Sequence, residues 1–130
     1  LENITVDPDN SFYASEDGVL FNKNMKTLLY CPLGKSGIYT IPTGVTNIDE
    51  YAFYSCSRLE SVVIPESITN IETGAFCNCR NLTSINIPDS VINIKKFAFG
   101  YCENLKSITI PDSVTNIGES AFTDLLIAVI

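Results

Sequence analysis

Cysteine is the residue type in this chain with the most capacity for chemistry, and Cys56, Cys79 and Cys102 recur at a constant interval of 23 residues. Thiolates at such spacing could hold a soft metal, or pair as disulfides in an oxidising compartment. Equivalent positions in stacked units lie about 4.8 Å apart. Parallel side chains at that separation suit neither disulfide geometry nor a tetrahedral metal shell. The three read as buried free thiols that act as small apolar groups. Cys77-Asn78-Cys79 has the wrong spacing for a C-x-x-C redox pair, and Cys77, which aligns with Tyr54, Gly100 and Thr123, reads as outward-pointing. Cys31 has no evident partner, and an odd total of 5 cysteines rules out full internal pairing.

Other chemistries fail on composition. The chain contains no His, so neither a Ser-His or Cys-His nucleophile pair nor a His-ligated zinc site can be built. Asp7, Asp9 and Ser11 alternate as calcium ligands do, but Phe12 and Gly18 stand where an EF-hand loop needs Gly and Glu. Glu66, Asp89 and Asp112 form an acidic column whose exposed like charges repel weakly, and it reads as a solvated turn. No pair of acids stands apart from the pattern as a glycosidase pair would. Enzyme and cofactor are therefore not expected. With 8 Lys and Arg against 15 Asp and Glu, the net charge of -7 repels phosphate backbones and anionic membrane surfaces. Leu125 to Ile130 is apolar but far short of the roughly 20 residues that cross a bilayer.

The elements that position these residues are set by one repeat. Ile41-Pro42, Ile64-Pro65, Ile87-Pro88 and Ile110-Pro111 recur every 23 residues, and Ala52-Phe53, Ala75-Phe76, Ala98-Phe99 and Ala121-Phe122 follow each pair by 11. A period of that length marks stacked units, none of which can bury its apolar side alone. Within a unit, the alternation of Ile85, Asn86 and Ile87 predicts a short strand closed by Pro88. Val91 and Ile94 flank Asn93 in a second extended stretch. Phe99 and Cys102, three residues apart, predict a tight 3₁₀ or helical turn. The columns headed by Ile41, Val45, Ile48 and Phe53, ending at Ile110, Val114, Ile117 and Phe122, read as core. Asn47, Asn70, Asn93 and Asn116 form a ladder of amides along the stack.

The first part breaks the period: Val6 to Ile41 spans 35 residues. Gly18 to Phe21, Asn22 to Lys26 and Thr27 to Tyr30 read as strand, turn and strand, a hairpin that projects from or extends the stack. Leu1 to Val6 matches Leu59 to Ile64 and reads as half a repeat, which suggests a chain cut from a longer array, with any targeting segment upstream.

The unit I-P-x-S-V-T-N-I-x-x-x-A-F-x-x-C-x-N-L resembles the BspA-type leucine-rich repeat, and Asp7 to Tyr13 running into Asp17 to Lys23 is similar to that family's long hairpin-bearing repeat. The resemblance implies a right-handed, mostly β solenoid at the surface of bacteria or some parasitic protists, or secreted by them. Its 1-40 would be the hairpin-bearing repeat, its 41-124 the regular repeats and its 125-130 an atypical apolar tail. That tail, with Leu125 in place of the column cysteine, either caps the last coil or pairs with another molecule. The resemblance further implies an adhesin that contacts host matrix proteins such as fibronectin and fibrinogen, or other bacteria.

Two surfaces are candidates for contact. The strand face presents Glu60, Ser61 and Val63, then Thr83, Ser84 and Asn86, then Lys106, Ser107 and Thr109: small, hydroxylated and without an aromatic anchor. The turns carry Tyr51, Tyr54, Phe97 and Tyr101 beside the buried Ala-Phe pairs. The expected function is a non-catalytic interaction module for a protein or surface glycan, with affinity summed over repeats. The rival reading is a spacer or stalk with no ligand of its own.

Overall fold

The computed structural model describes residues 1–124; the 125–130 tail, and the capping or pairing role expected of it, lie outside the described residues. Ten short strands follow in chain order: β1 (Tyr13–Glu16), β2 (Val19–Asn22), β3 (Thr27–Tyr30), β4 (Gly37–Thr40), β5 (Asn47–Ile48), β6 (Leu59–Val63), β7 (Asn70–Ile71), β8 (Ser84–Asn86), β9 (Asn93–Ile94) and β10 (Asn116–Ile117). They form three sheets, ordered β1-β2-β3-β5, β4-β6-β8 and β7-β9-β10. The last two are parallel, and residues pair with their counterparts one repeat on, as Ser61 with Ser84 and Asn70 with Asn93. This is a solenoid with one side of each coil in each parallel ladder.

The expected hairpin is β2 and β3, and it has a third member: β1 pairs antiparallel with β2, Tyr13 opposite Asn22. β3 then pairs parallel with β5, Leu28 beside Ile48, so the meander extends the stack rather than projecting from it. Val19, Phe21 and Leu28 are fully buried and continue the core. Leu1 to Val6 does not reproduce a repeat strand. Leu1 is 78% exposed, while Ile4 donates to the Gly18 carbonyl and Val6 to the Ser15 hydroxyl. The segment is held by the meander and so cannot pair along β4.

The turn side also departs from expectation: it is not helical. Its amides alternate in direction. Ala52, Tyr54 and Cys56 donate to carbonyls three residues back, at 3.0–3.2 Å, whereas Tyr51, Phe53 and Ser55 donate to Thr73, Ala75 and Cys77 of the next coil. The same alternation recurs with Gly74, Phe76 and Asn78 donating to Lys96, Ala98 and Gly100. A 3₁₀ run would need every amide to point back along its own turn. Here every second one joins neighbouring coils, and the chain accommodates this with left-handed residues, Tyr51 and Ser55 in one coil, Gly74 and Asn78 in the next, Phe97 and Tyr101 in the third. Backbone polarity is satisfied both within the coil and along the stack.

The core follows the columns through three coils and thins at the fourth. Ile41, Ile64 and Ile87 are at most 7% exposed, but Ile110 is 36% exposed; Ile48, Ile71 and Ile94 are buried, but Ile117 is 53% exposed. Reading Ile110 and Ile117 as core was therefore wrong, because each inward side chain is covered by its counterparts on both sides and the described fourth coil has one only on the side of the third. The phenylalanine column is a ladder of nearly parallel rings: Phe53 to Phe76 at 4.9 Å, Phe76 to Phe99 at 5.4 Å, Phe99 to Phe122 at 5.9 Å.

Candidate interaction surfaces

The cysteines are structural in their surroundings. Each column thiol donates to a carbonyl of the preceding coil, Cys79 to Phe53 and Cys102 to Phe76, both at 3.1 Å, and all five are buried and unpaired. Cys31 does have a place in this scheme. Cys56 Sγ donates to the Cys31 carbonyl at 3.5 Å, so Cys31 offers the acceptor that Phe53 and Phe76 offer to Cys79 and Cys102. The hydrogen bond with Cys56, then burial, push the Cys31 thiol up; the hydrogen bond with Cys102, then burial, do the same for Cys79. Cys77 is not outward-pointing: it is 5% exposed, its sulfur tucked into the room that Gly100 leaves in the next coil, and burial pushes its pKa up to about 11. Cys102 moves the other way, the hydrogen bond with Cys79 lowering its pKa, but it is buried like the other four, and none of these thiols has the access of a nucleophile. Asp7 and Asn10, in the segment that resembled a calcium loop, spend their side chains on turns, accepting from the amides of Asp9 and of Phe12 and Tyr13.

The asparagine ladder carries side-chain bonds rather than bonds to turn backbone. Asn93 donates to Asn70 at 2.7 Å and Asn116 to Asn93 at 2.8 Å. Lys95 pairs with Glu72 at 2.8 Å, also one repeat apart, so charges and amides both register the coils.

On the strand face, parallel register places Ile38, Ser61 and Ser84 in one column and Thr40, Val63 and Asn86 in the next. Ser84 and Ser61 hydroxyls lie 3.4 Å apart, and Thr83 donates to the Glu60 carbonyl at 3.3 Å. A hollow of about 230 Å³ lies over Ser61–Ile64 and Ser84–Asn86. Beside it runs a larger groove of about 390 Å³, lined by Ser36, Arg58, Glu60, Asn81, Thr83 and Asn104. Arg58, Asn81 and Asn104 were missed from sequence; their signal was a polar residue recurring just before each column leucine. Lys106 and Ser107 are exposed but belong to no strand, and Lys106 Nζ bonds its own turn at Glu103. The groove combines one cation, one anion, amides and hydroxyls, a set suited to hydrogen-bonding an extended polar ligand.

The aromatic residues gather as two separate pairs on the turn side. Tyr51 and Tyr54, 48% and 46% exposed, meet edge to face at 5.8 Å. Phe97 and Tyr101, half-buried, stack at 6.4 Å, with Lys96 Nζ 5.7 Å from the Phe97 ring. The coil between them has Gly74 and Cys77 at the positions of Tyr51 and Tyr54. The Tyr51 ring leans over that glycine: a Cβ at Gly74 would fall 2.2 Å from it. These pairs lie on the turn side of the coil and the groove on the strand side, so the fold gives two surfaces rather than one.

Parallel ladders one repeat apart, inward Ile and Phe columns, and a polar outer face define a leucine-rich-repeat solenoid. The BspA type Leucine rich repeat region model matches residues 29–130 in 6 copies, and the chain belongs to that family. The crystal structure of the pneumococcal vaccine antigen PcpA is similar over 90% of this chain, with 33% identity and a TM-score of 0.85; the chain spans only 29% of that protein. A leucine rich cell surface protein from Faecalibacterium prausnitzii A2-165 matches 95% of this chain and 39% of its own at 32% identity, TM-score 0.72. A leucine-rich repeat protein from Bacteroides capillosus matches 83% and 88%, at 28% identity and TM-score 0.73. Among curated proteins none matches significantly. No described segment is a helix long and apolar enough to cross a membrane.

Proposed function

We propose that this chain is a non-catalytic interaction module of a cell-surface or secreted protein, engaging a protein partner through its outward repeat positions. One observation carries the reading. Inward columns hold their residue type from coil to coil, whereas two outward columns at the candidate surfaces do not: Tyr51, Gly74, Phe97 and Ser120 in one, Glu60, Thr83 and Lys106 in the other. A spacer needs only the inward constancy; a surface that differs from coil to coil, with half-exposed tyrosines and a groove of about 390 Å³, suits recognition. The surface descriptions of relatives support the location, and fibronectin and fibrinogen are the first partners to test.

The test is saturable binding of the chain to immobilised fibronectin, fibrinogen and surface glycans. Tyr51→Gly or Arg58→Ser should weaken binding without shifting the melting temperature. If the chain binds none of these ligands, the spacer reading takes its place.

A further inference from the structure

Tyr51 and Phe97 hold the same repeat position two coils apart, although their ring partners do not, since Tyr54 aligns with Gly100 and Tyr101 with Ser55; the two rings differ in whether a cation covers them. Lys96 precedes Phe97 and lays its ammonium over that ring at 5.7 Å. Two repeats earlier the counterpart of Lys96 is Glu50, beside Tyr51, and the counterpart of Lys95 is Asp49. Both acids are exposed, and neither belongs to the ion pairs formed among the described residues, Lys35–Asp17 and Lys95–Glu72. From this internal comparison we propose that Tyr51 and Tyr54, flanked by Glu50 and Asp49, are the seat for a Lys or Arg side chain of a partner protein. This deepens the interaction reading and rests on it.

Three further observations agree. The turn does not need the tyrosine: Gly74 serves at the same position one coil on, and Tyr51 holds a left-handed φ of 57° that a bulky side chain rarely adopts. Nearly half of each residue remains exposed, the edge-to-face pair offering ring surface that no described residue covers with charge. A cation within about 6 Å of a tyrosine face is attracted by the ring's quadrupole, and the adjacent carboxylates add to the pull. The net charge of -7 favours a basic partner at longer range.

The experiment titrates the whole chain with a short alternating Gly-Arg peptide, an alternating Gly-Glu peptide and maltoheptaose, following tyrosine ring resonances and heat. The Gly-Arg peptide should shift Tyr51 and Tyr54 and bind; the Gly-Glu peptide should not. Glu50→Lys, which builds the covered arrangement of the third coil into the first, should weaken binding about fivefold or more, as should Tyr51→Gly with no loss of melting temperature. Glu66→Gln, an exposed acid elsewhere, should change binding less than about twofold. Parent-like binding by Glu50→Lys and Tyr51→Gly overturns the proposal. So does an equal loss with Glu66→Gln, which would mark undirected charge attraction, or a response of the same rings to maltoheptaose but not to Gly-Arg. Those results leave the interaction reading standing; that reading fails only if the immobilised partners are not bound.

Discussion

Phe76 is the residue whose removal measures how strongly neighbouring coils depend on each other. Its side chain is fully buried, with Phe53 at 4.9 Å on one side and Phe99 at 5.4 Å on the other. Truncating a buried Phe to Ala costs about 3–5 kcal/mol. Each stacked aromatic pair adds about 0.5–1.5 kcal/mol beyond area burial, so loss of two pairs sets Phe76→Ala at the upper end, about 4–5. Phe122 is only partly buried and has one stacked partner, Phe99 at 5.9 Å. Its truncation should cost about half as much. Ser84→Ala, on the exposed face, should cost under about 0.5 kcal/mol. In a chain of 130 residues about 1 kcal/mol moves the midpoint by about 4 °C, so the three variants should melt about 16, 8 and under 2 °C below the parent. Circular dichroism during heating, with urea titrations to verify that the slope m is unchanged, reads the series. Equal losses for Phe76→Ala and Phe122→Ala, or a Phe76→Ala loss as small as that of Ser84→Ala, would refute the ladder as the source of coil-to-coil coupling.

Two other outcomes follow from the site chemistry. Asn93 makes two ladder bonds and Asn116 one to a ladder neighbour, so Asn93→Ala should cost about 1–2 kcal/mol in urea titrations and Asn116→Ala less than about 1; equal costs would show that the amides do not act as a ladder. Cys77 has its pKa raised to about 11 from an ordinary 9.0, so the unfolded chain loses that proton first and stability, full below pH 9, should fall as pH rises from 9 to 11. In that window the melting temperature should decline less in Cys77→Ala, and native thiols should resist labelling at pH 8 until the chain is denatured; prompt labelling would contradict the burial of all five.

What the sequence disclosed was whatever a column must repeat. A ring at Phe76 has to stack on Phe53 and Phe99, and an amide at Asn93 has to meet Asn70, so both positions announce themselves at a fixed interval. Features that depend on backbone direction left no such mark. Alternate amides reach the next coil through left-handed residues, and Tyr51, Gly74, Phe97 and Ser120 share that conformation without sharing a side chain. Cys31 lies 25 residues before Cys56 rather than 23, and its part in the stack, a carbonyl that accepts from the Cys56 thiol, belongs to the backbone and so left no mark in the pattern of side chains. Cys77 is buried by an absence, the missing side chain at Gly100, and a column of unlike residues gives no hint of that. The exposed tyrosines were legible as residues out of keeping with a polar turn; the groove at Arg58, Asn81 and Asn104 was not, because polar residues at a turn carry no individual signal.

The alternating turn amides have a mechanical consequence. Bonds such as Phe53 to Ala75 and Phe76 to Ala98 run from coil to coil, along the direction in which the stack grows. Tension applied along that axis therefore pulls on the bonds of one junction at a time, as a zipper is opened, instead of shearing many together. Each released coil pays out 23 residues, about 80 Å of extended chain, while the remaining coils keep their own ladders. A tether of this construction lengthens in steps under load and rewinds coil by coil when the load is removed.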